Sequence, residues 1–355
     1  MTREKIIIGI THGDFNGIGY EVLLKTLSDS RVYDHFTPVI YGSARAAAYY
    51  KKGIEQQMSF NVVSAAKDIH HKRINVINCV DEELKIEPGI SSPLAGKMAF
   101  RALERATDDI KSGLIHAIVT APINKANIQS ENFKFAGHTE YLEQKFTEHN
   151  AALMMLVSNN LRVAVVTGHI PLKEVSAKIT VDLIVQKLET LNNSLIRDFK
   201  IPKPRIAVLG LNPHAGDEGV TGTEEREIII PAMKIAENKN ILNFGTFAAD
   251  GFFGSEAYKD YDAILAMYHD QGLVPFKTLA MGEGVNFTAG LPIVRTSPDH
   301  GTAYNIAGKN AANENSFRQA LYMAFDIVCN RMWYNEISEN PIKQEAKLER
   351  GGKIE

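Results

Sequence analysis

Cysteine is nearly missing from this chain. Its 355 residues include only Cys79 and Cys329, far apart and each in an apolar context, which excludes a disulfide framework and leaves two buried free thiols suited to a reducing compartment. Also missing is any apolar run approaching the roughly 18 residues that a membrane-spanning helix needs. The opening stretch MTREKIIIGITHGD enters a strand-like segment at once, without the cleavage site of a signal peptide, so a cytoplasmic location and no membrane partner are expected. Positive charge is in slight deficit, 39 lysines and arginines against 42 aspartates and glutamates. No basic stripe falls on a predicted element, which removes nucleic acid as an expected partner and leaves a small molecule. Internal repeats, low-complexity linkers and the G-x-G-x-x-G and Walker phosphate motifs are absent too.

What is present is an alternation of short β-rich runs with longer amphipathic stretches. KIIIGI, FTPVIYG, RINVINCV and IHAIVTAP read as strands, separated by helical segments such as SPLAGKMAFRALERATDDIKSG. In that segment Ser91 or Ser92 caps the helix, Pro93 lies just inside and Gly113 just beyond. A second region repeats the pattern with AALMMLVS, RVAVVTG, a long helix over about 174–197, RIAVLGL, the helix TEEREIIIPAMKIAENK and the strand DAILAMY. A last helix, ENSFRQALYMAFDIVCNRMW, carries the stripe Phe317, Leu321, Phe325, Val328 and Met332, which needs a surface to bury against. The first unit supplies it, so the fold class predicted is α/β, with two α/β/α domains and a cleft between them. Residues 1–130 and 301–335 form the first, discontinuous domain, 131–300 the second, and 336–355 a polar, frayed tail.

Three of the eleven histidines share a placement: His169 in VAVVTGHIPL, His214 in IAVLGLNPH and His269 in AILAMYHDQG each follow an apolar strand within a few residues. In open α/β sheets the ligand crevice lies at those carboxyl ends, and three imidazoles there suit a divalent transition metal, zinc first, then cobalt, nickel or manganese. Taken singly, each is as well read as a polar strand end. Asp270, and Asp250 in TFAADGFF, can add a carboxylate or orient an imidazole, or simply form turns. His138 and Thr139 in GHTEYLEQKF stand at a helix start, which attracts anions or is merely capped. Gly13 to Gly19 predicts a tight turn exposing Asp14 and Asn16 to the cleft. GEGVNFTAGLPIVRTSPDHGTAYNIAGKN, 282–310, gathers Asn286, Arg295, Asp299 and His300 in a weakly periodic region of the functional kind. His35, His70, His71, His116 and His149 lie in surface or helix-end contexts and receive no role.

Asn212-Pro213-His214-Ala215-Gly216, Tyr268-His269-Asp270-Gln271-Gly272 with Lys277, and Gly284 to Ala303 through Asn286, Arg295 and His300-Gly301-Thr302-Ala303 together resemble the 4-hydroxythreonine-4-phosphate dehydrogenase family over about residues 5–330. The resemblance implies the isocitrate and isopropylmalate dehydrogenase type of fold, and a homodimer with a shared active site. It implies metal ligands His169, His214 and His269, the last from the partner subunit. Substrate contacts would be His138, Thr139, Lys277, Asn286 and Arg295, with Lys277, Asp270 and Asp250 catalytic and the two aspartates beside the metal. His300, Gly301, Thr302 and Ala303 would cradle the adenosine of NAD or NADP. The metal would be zinc, with magnesium, cobalt or manganese as alternatives. The activity implied is oxidation of 4-phosphohydroxythreonine to a 3-oxo acid that decarboxylates to 3-amino-2-oxopropyl phosphate, on the way to pyridoxal 5'-phosphate. Related substrates are 4-phosphoerythronate, 4-phosphothreonate and aromatic cis-dihydrodiols. A metal-dependent hydrolase would use the same histidines but leave the 296–308 loop unexplained, and a sugar-phosphate binding protein would leave the metal set unexplained. The chain departs from the family pattern at Phe15, Asn16, Tyr20, Asp217, Glu218 and Asn305.

Overall fold

The computed structural model describes residues 5–54, 58–79, 84–147, 152–159 and 161–339. Its twelve strands are β1 (Ile7–Thr11), β2 (Thr37–Gly42), β3 (Phe60–Val63), β4 (Ile74–Asn78), β5 (Ala117–Thr120), β6 (Leu153–Ser158), β7 (Leu161–Thr167), β8 (Ile206–Leu209), β9 (Asn243–Phe247), β10 (Ala263–Tyr268), β11 (Val285–Ala289) and β12 (Val294–Pro298). They form one sheet in the order β3-β4-β2-β1-β5-β12-β11-β6-β7-β10-β8-β9. From β3 to β12 the pairs are parallel, and from β7 to β9 they are parallel again. Between these blocks β11 and β6 pair antiparallel with each other and with their outer neighbours. Strands such as IIGIT and AIVT are almost wholly apolar and buried because helices cover both faces of parallel strands.

The helices are α1 (Gly19–Leu27), α2 (Val32–His35), α3 (Ala44–Lys51), α4 (Pro93–Lys111), α5 (His138–Phe146), α6 (Val175–Lys178), α7 (Val181–Arg197), α8 (Ile230–Asn238), α9 (Ala249–Gly254), α10 (His269–Ala280) and α11 (Asn315–Ser338). Helix α4 starts as its sequence dictates: Ser92 Oγ accepts from Ala95 N and Pro93 occupies the first turn. The long helix expected over 174–197 is instead two. Ile179 is extended and Thr180 caps α7 by accepting from Leu183 N, so a local side-chain cap overrides continuous periodicity. TEEREIIIPAMKIAENK opens with a π-turn, Glu225–Ile229, before α8, because Pro231 lacks an N–H and its ring crowds the carbonyl four residues back.

Helix α11 packs on β12, β5, β11 and α1. Phe317, Leu321 and Val328 of its stripe are buried, Phe325 is partly buried and Met332 is 53% exposed. Its partner surface thus includes β12 and β11, which lie within 131–300, as well as the first-unit elements β5 and α1. Neither Cys79 nor Cys329 is in a disulfide, and both are partly rather than fully buried. Asp14 and Asn16 are buried, not exposed to the cleft. Among the described residues no helix is long and apolar enough to cross a membrane. The 336–355 tail lies outside the described residues except 336–339, of which 336–338 complete α11; His149 also lies outside them.

Candidate active site

The strand order turns the shared placement of the histidines into a row. The mutually parallel neighbours β7, β10, β8 and β9 are followed by His169, His269, His214 and Asp250 respectively. The junction bearing His269 is built with care. Gln271 Oε1 accepts from Met267 N at 2.7 Å while Gln271 Nε2 donates to Gly210 O at 2.6 Å, tying the start of α10 to the end of β8. Gly272 lets α10 lie close on the sheet, since a Cβ there would stand 2.8 Å from Val163 Cγ1. The rings of His169 and His269 are 5.3 Å apart. Asp270 Oδ1 lies 2.6 Å from His269 Nδ1, and Glu140 Oε1 is 3.8 Å from His169 Nδ1.

These two histidines border a cavity of about 290 Å³ that also receives His138, Thr139, Glu140, Lys277, Asn286 and Arg295. His269, Leu273 and Lys277 all reach it from α10, being spaced four residues apart. At one end Arg295 is 3% exposed, yet its described partners are neutral: Nε and Nη2 donate to Thr120 Oγ1 at 3.2 and 2.8 Å and Nη1 to Thr288 Oγ1 at 3.1 Å. Burial pulls this guanidinium down to about 10. His138 beside it is held neutral, well below the ordinary imidazole range, by burial first and then by the charges of Arg295 and Lys125. His138 Nε2, Asn286 Oδ1 and His300 Nε2 are buried without a hydrogen-bond partner. All three residues line this cavity. Buried polar atoms are normally satisfied, so their convergence marks a place for a polar ligand. A buried guanidinium hydrogen-bonded to threonine hydroxyls, with Glu140 the carboxylate that shares its cavity and α5 starting at His138, suits an anion.

Of the other residues singled out in the sequence, His300 and Gly301 line the cavity, whereas His214, Asp250, Asp270, Thr302 and Ala303 do not. His214 sits on an exposed segment in which His214, Ala215, Asp217 and Glu218 all have left-handed backbone, φ 52, 54, 45 and 55. The buried carboxylate of Glu225 anchors this segment, accepting from Leu211 N and Asn212 N at 2.7 Å each. The resemblance gives His269 to a neighbouring subunit's site, but within this chain it stands beside His169. Among the described residues no three His, Cys, Asp or Glu side chains of one chain are grouped to hold a metal. Sequence reasoning passed over Lys125 and Glu140. The hint for Glu140 was its position two residues after His138, in the first turn of α5; Lys125 had no signal. Glu140 is held below the usual carboxylate range, chiefly by its contact with His169.

The chain matches the family model described as pyridoxal phosphate biosynthetic protein PdxA over residues 34–324. It is 55% identical to a 4-hydroxythreonine-4-phosphate dehydrogenase of Bacteroides thetaiotaomicron, over 97% of this chain and 95% of that protein. It is 39% identical to a D-threonate 4-phosphate dehydrogenase of Cupriavidus necator, over 92% of this chain and 98% of that one. Among solved structures, the 4-hydroxythreonine-4-phosphate dehydrogenase of Klebsiella pneumoniae superposes with a TM-score of 0.78 at 33% identity, covering 92% of this chain and 99% of that chain.

Proposed function

From the premise that the chain belongs to the family of pyridoxal phosphate biosynthetic protein PdxA, a family of dehydrogenases, we propose that it oxidises 4-phosphohydroxythreonine with NAD or NADP and a divalent metal. The secondary alcohol becomes a ketone, the nicotinamide takes up two electrons and one proton is released. The resulting 3-oxo acid loses carbon dioxide to give 3-amino-2-oxopropyl phosphate. The observation that carries this reading is the buried Arg295, whose described hydrogen-bond partners are threonine hydroxyls, beside His138 and Thr139 at one end of a cavity that two histidines border.

In this reading Arg295, His138 and Thr139 bind the substrate's phosphate or carboxylate. Arg295 offers planar donors, and neutral His138 donates without adding another charge. Asn286 orients the substrate through its unpaired carbonyl oxygen. Lys277 reaches the same cavity from α10, and its ammonium stabilises the negative charge left when carbon dioxide departs. The donor chemistry fits a borderline divalent ion, zinc before magnesium, cobalt or manganese. His169 and His269, with rings 5.3 Å apart, would hold the metal, and the carboxylates of Glu140 and Asp270 beside their Nδ1 atoms would orient the two imidazoles. His214, the remaining ligand of the implied set, is exposed and does not line this chain's own cavity, so one of the three histidines would come from a partner subunit. When bound, the metal supplies Lewis acidity at the reacting hydroxyl and the nicotinamide supplies the electron acceptor. The 300–303 loop takes the dinucleotide, with Gly301 exposed and nothing within 4 Å of where its Cβ would be.

The test is nicotinamide reduction, followed by its ultraviolet absorbance, with 4-phosphohydroxythreonine, 4-phosphoerythronate and 4-phosphothreonate before and after chelation and metal restoration. Metal-dependent reduction favouring the first supports the proposal. A preference for 4-phosphothreonate supports the second reading, which the relative from Cupriavidus necator motivates. No reduction with any of them rules out both.

A further inference from the structure

Asp14 is fully buried, at 0% exposure, and no ion pair reaches it among the described residues. Neutral donors surround its carboxylate: Asn16 N at 2.9 Å on Oδ1, and both Asn127 Nδ2 and Tyr304 Oη at 2.7 Å on Oδ2. A buried charge compensated only by neutral donors is a costly way to stabilise a fold. The two Oδ2 partners come from separate walls of the candidate site. Asn127 belongs to the segment after β5, whose Ala121, Pro122, Ile123 and Lys125 line the cavity, and Tyr304 belongs to the loop that brings His300 and Gly301 to it. Asp14 itself does not touch the cavity. Its surroundings brace the same junction: Asp14 N donates to Pro122 O at 2.8 Å and Ile18 N to Thr302 O at 3.0 Å, while Asn124 Nδ2 donates to Tyr304 Oη at 3.1 Å. Asn16, a departure from the family pattern, fastens a third segment by accepting from Glu87 N at 2.9 Å and donating to Ile90 O at 2.8 Å. Gly89 in that segment lies against the carbonyl of Tyr304.

We propose that Asp14 is a positioning residue for dinucleotide binding: by holding Asn127 and Tyr304 on one carboxylate oxygen it fixes the 300–304 loop against the segment after β5. The inference rests on the reading of the 300–303 loop as the dinucleotide cradle. It assigns Asp14 a role without contact with either ligand, and it separates the two ligands: the dinucleotide depends on the clamp, whereas the phosphorylated substrate, held by Arg295, His138 and Thr139, does not.

The test uses the full-length, metal-loaded protein with Asp14→Asn, Tyr304→Phe and the double variant. Affinity for NAD and NADP is measured by fluorescence titration, and KM is measured separately for dinucleotide and phosphorylated substrate. Each single variant is expected to weaken dinucleotide binding about tenfold, the scale of one lost hydrogen bond to a charged group, with substrate KM moving less than about twofold. Because both side chains act through one contact, the double variant should be no weaker than the worse single one. Equal changes in both KM values, unchanged dinucleotide affinity, or losses that multiply in the double variant overturn the proposal. If Asp14→Asn does not fold, Tyr304→Phe, at a partly buried position, decides the matter alone. A wild-type protein that binds neither NAD nor NADP overturns the cradle reading itself, an outcome distinct from wild-type binding that the variants leave intact.

Discussion

Arg295 shows how little of a functional residue's meaning lies in its identity. The sequence places an arginine in a strand-like run, IVRTS, but its hydrogen bonding to neutral threonine hydroxyls emerges only when β12 pairs with β5 and brings Thr120 to the guanidinium. Such a cation costs stability and serves binding. A buried cation carries a desolvation penalty that a hydrophobe of similar size does not, whereas losing a buried charged contact to a ligand costs about 2–5 kcal/mol of affinity. Arg295→Met should therefore hold or raise the thermal midpoint while raising the KM for the phosphorylated substrate by roughly a hundredfold. A lowered midpoint with unchanged KM would make Arg295 a structural residue. His12 makes the opposite case, a titratable group without a ligand. Its ring is buried and stacked on Tyr20 at 5.3 Å, and burial pushes it from 6.5 to about 4. Because the folded-state value lies below the unfolded one, its contribution is complete above about pH 6.5. As pH falls toward about 4 the unfolded chain takes up a proton that the folded chain refuses, and up to ~3 kcal/mol is lost. Denaturant midpoints at about pH 7 and about pH 4.5 should converge in His12→Phe relative to wild type, and an equal fall in both proteins would remove His12 from the acid response.

At the scale of elements, what was legible followed hydrophobic period and capping chemistry. The strands β1, β7, β8 and β10, and α4 with Ser92 and Pro93, are where the apolar runs and caps put them. Interruptions were less legible, because the Ile179-Thr180 break and the π-turn before Pro231 alter the backbone without changing the apolar face. The turn at Asp14 misled for a related reason: Gly13 and Gly17 signal a turn, but whether its polar side chains face water depends on Asn127 and Tyr304, 113 and 290 residues away in sequence. Gly272 is the converse, a helix glycine whose purpose is visible only in packing. Gly272→Ala would press a methyl to 2.8 Å from Val163 Cγ1 and 3.1 Å from Ala266 Cβ, lifting the start of α10. Overpacking of this kind costs roughly 1–3 kcal/mol. Since His269 and Lys277 ride on that helix, metal affinity should fall with stability. Metal content after dialysis against a graded chelator series separates this from simple destabilisation, because a variant that loses midpoint but retains wild-type metal affinity would show that α10 moves without its histidine.

For the molecule as a whole, the strand order sets the histidines in a row, and whether a second subunit completes the site is a question of assembly. His169 and His269 are neighbours across β7 and β10, whereas His214 follows β8, one strand further along, on an exposed left-handed segment. If each site combines His169 and His269 of one subunit with the partner subunit's His214, two inactive variants should rescue each other when their subunits exchange. In a mixed dimer of His214→Ala and His269→Ala chains, the first chain keeps both of its own ligands and receives an intact His214, so one of the two sites is whole. A site drawn entirely from one chain predicts no rescue in that mixture. Rescue alone would also arise if His269 were the exchanged ligand, so the decisive mixture is His169→Ala with His269→Ala. With both histidines contributed by the same subunit, every site in that mixed dimer lacks one ligand and activity stays absent. With His269 supplied across the interface, one site is complete and activity returns. Rescue in the first mixture together with silence in the second is the expected pair, read by metal-dependent nicotinamide reduction after subunit exchange, and activity in the second mixture would return His269 to the neighbouring subunit's site.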